Sequence, residues 1–94
     1  MENDNDNTRA AILREAEALV NGPRAVEYGP AEVNMTKIGA GWSVILGAPV
    51  TAHDVSLCMA WLKLARITGE GQASRDSYAD AAGYVAIAAE LADV

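Results

Sequence analysis

The amino-acid sequence predicts an all-α domain of four helices with short connections. Apolar residues recur at three- and four-residue steps in four segments, and each segment is bounded by a recognisable helix signal. No segment of useful length alternates between apolar and polar residues as a β-strand does. Because 94 residues suffice for one domain only, we expect a disordered acidic tail over residues 1–7 and a single helical domain over residues 8–94.

The first predicted helix covers residues 8–20. Apolar side chains recur on one face from Ile12 to Val20, and charged side chains occupy the other faces. The tripeptide at 21–23, Asn-Gly-Pro, ends this helix, because glycine readily adopts a left-handed cap conformation and proline cannot continue a helix. An irregular stretch over residues 21–30 is expected to follow.

The second predicted helix begins at Pro30, since the first helical position needs no N–H group, and it ends at Gly47. Its apolar stripe starts at Met35. Gly39 and Gly41 interrupt the helix, and each weakens it by about 1 kcal/mol relative to alanine. We expect these glycines either to permit close approach of a neighbouring segment or to mark a break.

The third predicted helix starts at the capping box Thr51-Ala-His-Asp54, where the two end side chains cap backbone N–H groups. It closes after Arg66 and is apolar on most sides, which is typical of a helix in the middle of a bundle. Cys58 is therefore expected to be an inert core thiol. Both tryptophans are expected to pack in the core or at a subunit contact.

The fourth predicted helix begins near Ser74, runs to about Ala92 and carries an alanine-rich surface. Small residues allow helix axes to approach at the short end of the usual range of about 8–10 Å. The chain has nineteen alanines and no phenylalanine, so a monomeric core of this size is marginal. We therefore expect a homo-oligomer, with close packing at positions such as Ala86.

Composition and charge exclude several function classes. A formal charge of −6 disfavours binding to nucleic acid or anionic lipid, and no apolar run is long enough to cross a bilayer. The acidic N-terminus is unlike a signal peptide, and a single cysteine suits a reducing compartment. We predict a cytoplasmic protein with no nucleic-acid partner and no membrane contact.

Asp76 and Asp80 form the most informative local pattern. They are four residues apart, so both side chains project from one helical face. Tyr84, four residues further along, lies on the same face, which we expect to point toward the core. A carboxylate there must be paired, hydrogen-bonded or bound to metal. The two carboxylates could share Mg²⁺ through oxygen ligands. Alternatively, Asp76 stabilises the helix N-terminus and Asp80 pairs with Lys63 or Arg66 of the third helix.

A second candidate site combines Arg24, Tyr28 and Asn34. Arg24 offers a planar fork for phosphate, Tyr28 a stacking face, and Asn34 a donor–acceptor pair for a base edge. Lys63 and Arg66 could contact the phosphate of the same ligand. The predicted ligand is a nucleotide or another phosphorylated small molecule. The alternative is that Arg24 and Tyr28 only cover the bundle and satisfy helix ends.

Several separate motifs occur in order along the chain: Asn-Gly-Pro-Arg-Ala-Val-Glu-Tyr-Gly over 21–29, Met-Ala-Trp-Leu-Lys-Leu-Ala-Arg over 59–66, and Asp-Ser-Tyr-Ala-Asp-Ala-Ala-Gly-Tyr over 76–84. Together they resemble a family of small phage and prophage proteins of unassigned function, over roughly residues 12–92. The resemblance implies a phage-encoded protein that acts in the cytoplasm of a bacterial host. It implies no particular activity.

The acidic helix over 76–84, after a helix ending in Lys63-x-x-Arg66, also looks like the late helices of MazG-like nucleoside triphosphate pyrophosphohydrolases. That resemblance implies an oligomeric helical enzyme whose acids, on two helices, hold Mg²⁺ for hydrolysis, with Asp76 and Asp80 as one pair. The other pair, two glutamates three residues apart on an earlier helix, is missing, because Glu15 and Glu17 have a different spacing.

Two functions therefore stay open. The first is Mg²⁺-dependent hydrolysis of a nucleoside triphosphate, with Asp76 and Asp80 as metal ligands. The second is a non-catalytic binder that sequesters a nucleotide, including a host signalling nucleotide, or a host protein. A nucleic-acid-binding regulator is least favoured, because no helix gathers basic residues on one face.

Overall fold

The computed structural model describes residues 7–22, 30–68 and 74–93. Four α-helices cover most of them: α1 (Thr8–Asn21), α2 (Ala31–Leu46), α3 (Ala52–Thr68) and α4 (Arg75–Leu91). The described residues include no strand, and the all-α prediction is confirmed. None of these helices combines the length and the hydropathy that crossing a bilayer requires.

Local hydrogen bonds set the helix starts where the sequence predicts them. Asn7 caps α1 by accepting from the backbone N–H of Ala10, and Ser74 caps α4 by accepting from that of Ser77. At α3 the capping box forms as expected: the Thr51 hydroxyl accepts from the N–H of Asp54 at 3.1 Å, and the Asp54 carboxylate accepts from that of Thr51 at 3.3 Å. Each bond satisfies an N–H that the helix itself leaves unpaired.

The two glycines at helix C-termini behave differently. Gly47 ends α2 in the left-handed conformation, with φ of 70°, and its N–H donates to the carbonyl of Ser43 at 2.9 Å. Gly22 follows α1 in an extended conformation, with φ of −94° and ψ of −156°. The expectation of a left-handed cap at Gly22 was therefore wrong, and α1 ends where the backbone becomes extended ahead of Pro23, since a residue before proline favours that region.

The helices are arranged around an α3–α4 pair, which forms the most extensive interface among the described residues. α1 packs on α4, whereas α2 packs mainly on α3. Glu15 pairs with Arg75 and Val20 lies against Gly83, so α1 runs in the same direction as α4. We call the side of the α3–α4 pair that carries α1 and α2 the inner side.

Close approach of α2 to the start of α3 depends on Gly39. A Cβ atom at this buried position would lie 2.7 Å from the carbonyl oxygen of Val50, closer than real contacts allow. Ser43 fixes the same contact, because its hydroxyl accepts from the N–H of Val50 at 2.8 Å. Gly41 faces open space. The helix continues through both glycines, so only the expectation of close approach, at Gly39, was right.

The core of the described residues consists of small side chains. The largest fully buried ones are those of Val55 and Ser56. Several large apolar side chains are exposed. Trp61 is 69 % exposed, so it is not in the core, and the alternative of a subunit contact stays a prediction. Cys58 is also exposed, so the expectation of an inert core thiol was wrong. Because α3 is apolar on most sides, periodicity alone does not show which side faces inward. The buried residues, besides the two named above, are Ala16, Met35, Gly39, Ala60, Ser77, Ala79, Ala81, Gly83 and Ala88.

Candidate functional site

Lys63 and Asp80 form an ion pair between α3 and α4. The Lys63 Nζ lies 3.1 Å from the Asp80 Oδ2, and the two side chains are only 14 % and 15 % exposed. The prediction that Asp80 points inward and pairs with a base of the preceding helix is confirmed, with Lys63 as that base. Few charged groups in a protein are buried to this degree unless they are paired.

Helical spacing places this pair on the inner side. Lys63 follows Val55 by eight residues, just over two turns along α3 and about 80° around it, and Val55 lies beside Gly39 of α2. Asp80 precedes Gly83 by three residues, one turn along α4, and Gly83 lies against Val20 of α1. The ammonium and the carboxylate therefore lie at the α3–α4 interface, toward its inner side.

The other predicted site residues are distributed around this pair. Asn34 lies one turn into α2 and is partly buried, whereas Arg66 and Asp76 are exposed. Arg24 and Tyr28 lie outside the described residues. Asp76 sits in the first turn of α4, where a carboxylate interacts favourably with the helix dipole. Its binding role, like that of the other four residues, stays a prediction.

A metal site at Asp76 and Asp80 also stays a prediction. Within residues 7–22, 30–68 and 74–93, no three or more His, Cys, Asp or Glu side chains converge in a way that could hold an ion. Among the described residues, the Lys63 ammonium is a cation at Asp80. Mg²⁺ at this position would have to displace that ammonium or be held by the opposite carboxylate oxygen.

One ion pair was not expected from the sequence. Arg75 Nε donates to the Glu15 carboxylate at 2.5 Å and links α4 to α1. The two residues are 60 positions apart, so no local spacing rule could have paired them. Both side chains are substantially exposed, and a pair of this kind contributes only about 0–1 kcal/mol. We assign it to the docking of α1 rather than to a ligand site.

The sequence of this helical domain is similar to those of known phage proteins. Residues 11–92 match the model of the family described as Domain of unknown function (DUF6378). The chain belongs to this family. It is 37 % identical over 78 residues to the Gene 55 protein of Mycobacterium phage L5, and 38 % identical over 74 residues to that of Mycobacterium phage D29. These alignments cover 82 % and 79 % of the chain.

The DUF6378 chain spans about half the length of both phage relatives, 49 % and 48 % respectively. The match confirms the predicted resemblance to a phage family of unassigned function. No solved structure matches the chain. The Lys63–Asp80 pair lies within the matched range, at the interface between two helices that both fall inside it.

The pair gives this DUF6378 domain a particular binding chemistry. A lysine ammonium carries three N–H donors, so its bond to one Asp80 oxygen leaves it able to donate to further oxygen atoms. The carboxylate beside it accepts hydrogen bonds and donates none. Two nearly buried groups of opposite charge thus present donors and acceptors side by side, where the reduced local dielectric strengthens polar contacts.

Proposed function

We propose that this protein is a phage-encoded binder of nucleotides that holds its ligand at the Lys63–Asp80 pair and does not hydrolyse it. The observation that carries the proposal is the pair itself: an ammonium 3.1 Å from a carboxylate, each about 85 % shielded from solvent, on the side where α1 and α2 meet the α3–α4 pair. No other ion pair between described residues combines such burial with a position between helices.

The charges of the pair favour a ligand with both donors and acceptors. A bare phosphate ion would be attracted by Lys63 and repelled by Asp80 at nearly the same distance, so it would gain little. A nucleotide carries phosphate oxygens that accept from lysine, as well as sugar hydroxyls that donate to a carboxylate, as in dinucleotide-binding folds. The pair therefore fits a nucleotide better than inorganic phosphate.

The predicted neighbours extend the same chemistry. Asn34 lies on α2, at the end of that helix that faces the Lys63 end of α3 in an antiparallel pair. Its amide could read a base edge, because it offers both a donor and an acceptor. Arg24 and Tyr28, in the stretch between α1 and α2, are proposed to complete the contacts with phosphate and base.

We infer binding without turnover because the described residues near the pair include too few acids to hold Mg²⁺ in the MazG-like manner. Hydrolysis of the MazG-like type needs acids on two helices to hold Mg²⁺, and the glutamate pair that would supply the earlier helix is missing from the sequence. Asp80 is neutralised by Lys63, and Asp76 is exposed. Lysine at this position supplies the positive charge that a metal ion would supply in an enzyme.

Isothermal titration of the protein with ribo- and deoxyribonucleotides, and with inorganic phosphate, tests the proposal. We expect saturable binding of at least one nucleotide and none of phosphate. The variant with both Lys63→Gln and Asp80→Asn retains a hydrogen bond between the two side chains but carries neither charge, and it should bind at least about 10-fold more weakly. Lys37→Gln, which removes an exposed charge from α2, should bind like the natural protein.

Two results would contradict the proposal. If the double variant binds as tightly as the natural protein, the ligand lies elsewhere. If no nucleotide binds, the alternative of a host-protein partner gains support. A parallel assay for pyrophosphate release with Mg²⁺ separates binding from hydrolysis: release that disappears in Asp80→Asn would establish the enzyme, with Asp76 and Asp80 as its metal ligands.

A further inference from the structure

An apolar surface covers the side of the α3–α4 pair opposite the inner side. On α3 it contains Leu57, Trp61 and Leu64, which are 38 %, 69 % and 37 % exposed. On α4 it contains Tyr78 and Val85, which are 47 % and 50 % exposed, with Ala82 and Ala89 between and beyond them. We call these seven residues the outer face.

The outer-face residues of α3 form one row and those of α4 form a second row. Helix geometry shows that both rows lie on the same side of the α3–α4 pair. Residues two positions apart on an α-helix point in nearly opposite directions, because each residue turns the helix by about 100°. Leu57 is two residues after Val55, which contacts α2, and Val85 is two residues after Gly83, which contacts α1. Both residues therefore point away from the inner side.

The Lys63–Asp80 pair also sets how the two rows align. Because α3 and α4 are antiparallel, residues whose numbers sum to about 143 lie level with each other, as Lys63 and Asp80 do. Leu64 is thus level with the first turn of α4, near Tyr78, and Leu57 is level with Val85 and Ala86. Trp61 is level with Ala82, at the centre. The two rows form one continuous face.

The outer face carries no charged side chain. Apolar patches on soluble monomers rarely exceed about 300–600 Å². The outer face spans residues 57–64 of α3 and 78–89 of α4, about 10 and 16 Å of helix, so with the helices about 10 Å apart its footprint is roughly 260 Å². A stable interface buries roughly 800 Å² of accessible surface on each partner, so the residues that flank the face on both helices would contribute to it as well.

We propose that a second copy of this chain covers the outer face, in an antiparallel two-fold dimer. The described charges favour this occupant and this direction. Asp54 and Asp93 lie at one end of the α3–α4 pair, and Arg75, which also pairs with Glu15, lies at the other end. A two-fold axis perpendicular to the helices brings unlike ends together, and such complementarity fixes the orientation of an interface.

In this dimer the two Trp61 side chains lie close to the axis. Aromatic pairs at the centre of an interface are typical of the residues that dominate binding energy. The alanines of α4 leave room for the helices of the two copies to approach closely. Ala86 is exposed in the single chain and lies beside this face, so the close packing expected there stays a prediction.

Sedimentation equilibrium tests the dimer directly. We expect the natural protein to be dimeric at about 10 µM. Trp61→Glu places a charge on the outer face at a position exposed in the single chain, so folding should persist, while the dissociation constant should rise at least about 30-fold. Val44→Glu is the matched control, because Val44 is 82 % exposed at the end of α2 and lies outside the face.

A spectroscopic measurement supplies a second readout. In a Trp42→Phe background the emission of Trp61 should shift to shorter wavelength as the protein concentration rises, because dimerisation removes the indole from water. A natural protein that stays monomeric at about 100 µM would overturn the proposal. So would association that survives Trp61→Glu, or that Val44→Glu abolishes to the same extent.

Discussion

In an ordinary small domain, large apolar side chains are buried and charged ones are exposed. The inner side and the outer face of the α3–α4 pair both depart from this pattern. On the inner side, the buried residues are mostly glycine, alanine and serine, with Val55 and Met35 as larger ones, and one ion pair is shielded there. On the outer face, bulky apolar side chains such as Trp61 meet solvent, and no charge is present. Within the described part of the chain, most buried side chains are therefore small, and several of the largest apolar ones are exposed.

This difference in side-chain size separates the contacts made on the inner side from those available on the outer face. Small side chains let α1 and α2 approach the α3–α4 pair closely, as Gly39 and Gly83 do with carbonyl and side-chain atoms of their neighbours. The larger apolar area, about 25 cal/mol for each Å² removed from water, is left on the other side. If the proposed dimer forms, the stability of the folded chain and its association depend on different residues.

The largest effect is expected from breaking the ion pair of the inner side. Lys63→Met keeps the length of the side chain but removes the ammonium, so the Asp80 carboxylate loses its contact with this positive charge. Breaking such a shielded pair should lower the free energy of unfolding by about 2–4 kcal/mol. Arg66→Met, one turn along α3 and exposed, should change it by less than about 0.5 kcal/mol.

Urea denaturation of both variants, followed by circular dichroism, measures this difference. Adding Asp80→Leu to Lys63→Met should recover a large part of the loss, because a buried pair can be replaced by apolar side chains. Equal stability of Lys63→Met and the natural protein would mean that the pair is solvated in solution, and the contrast between the two sides would then be lost.

A smaller effect, with opposite signs at two positions, is expected from the glycines of α2. Gly39→Ala should lower the free energy of unfolding by about 1–3 kcal/mol, because the new Cβ meets the Val50 carbonyl. Gly41→Ala should raise it by up to about 1 kcal/mol, because alanine favours the helix and nothing obstructs it.

The two substitutions lie in the same helix, so each serves as the experimental control for the other. Any general effect of alanine on helix propensity is common to both. Denaturant midpoints of the two variants are to be compared with that of the natural protein. If Gly39→Ala stabilises the chain as much as Gly41→Ala does, then α2 does not approach the start of α3 closely in solution.

The sequence predicts much of this fold because helix ends have local signals. The capping box before α3, Ser74 before α4 and Gly47 after α2 each act within a few residues, so the predicted bounds lie within two residues of those observed. The inward direction of Asp80 was also predictable, because Tyr84 continues its stripe and few bases were available on the preceding helix.

Three features could not be predicted for physical reasons. The outward position of Cys58 was missed and that of Trp61 was left open, because a helix that is apolar on most sides does not show which side is buried. The Glu15–Arg75 pair joins distant parts of the sequence. The exposure of Asp76 was left open by the four-residue spacing, which brings it onto the face of Asp80 but also into the first turn, where fewer neighbours cover it.

The smallest effect concerns the capping box, which fixes the start of α3 and thereby the position of both its sides. The backbone N–H of Thr51 donates a hydrogen bond to the Asp54 carboxylate, and this bond is the main reason why the pKa of Asp54 lies below its ordinary value. The hydrogen bond with the Thr51 side chain lowers the pKa further, and His53 adds to this. Asp54 therefore stabilises the folded chain fully above its ordinary pKa of 3.8, and the contribution is lost as the pH falls through the lower, folded value.

Thr51→Ala should lower the free energy of unfolding by about 1 kcal/mol at neutral pH, and it should bring the pKa of Asp54 back toward its ordinary value. Asp54→Asn should reduce the acid sensitivity of the chain, whereas Glu32→Gln, which removes an exposed carboxylate from the first turn of α2, serves as the control. Thermal unfolding from neutral pH into the acid range measures both effects. Because the side chains act on each other, the effect of Asp54→Asn should shrink in a Thr51→Ala background; strict additivity would mean that the reciprocal bonds do not form in solution, and that some other contact holds α3 in register with its neighbours.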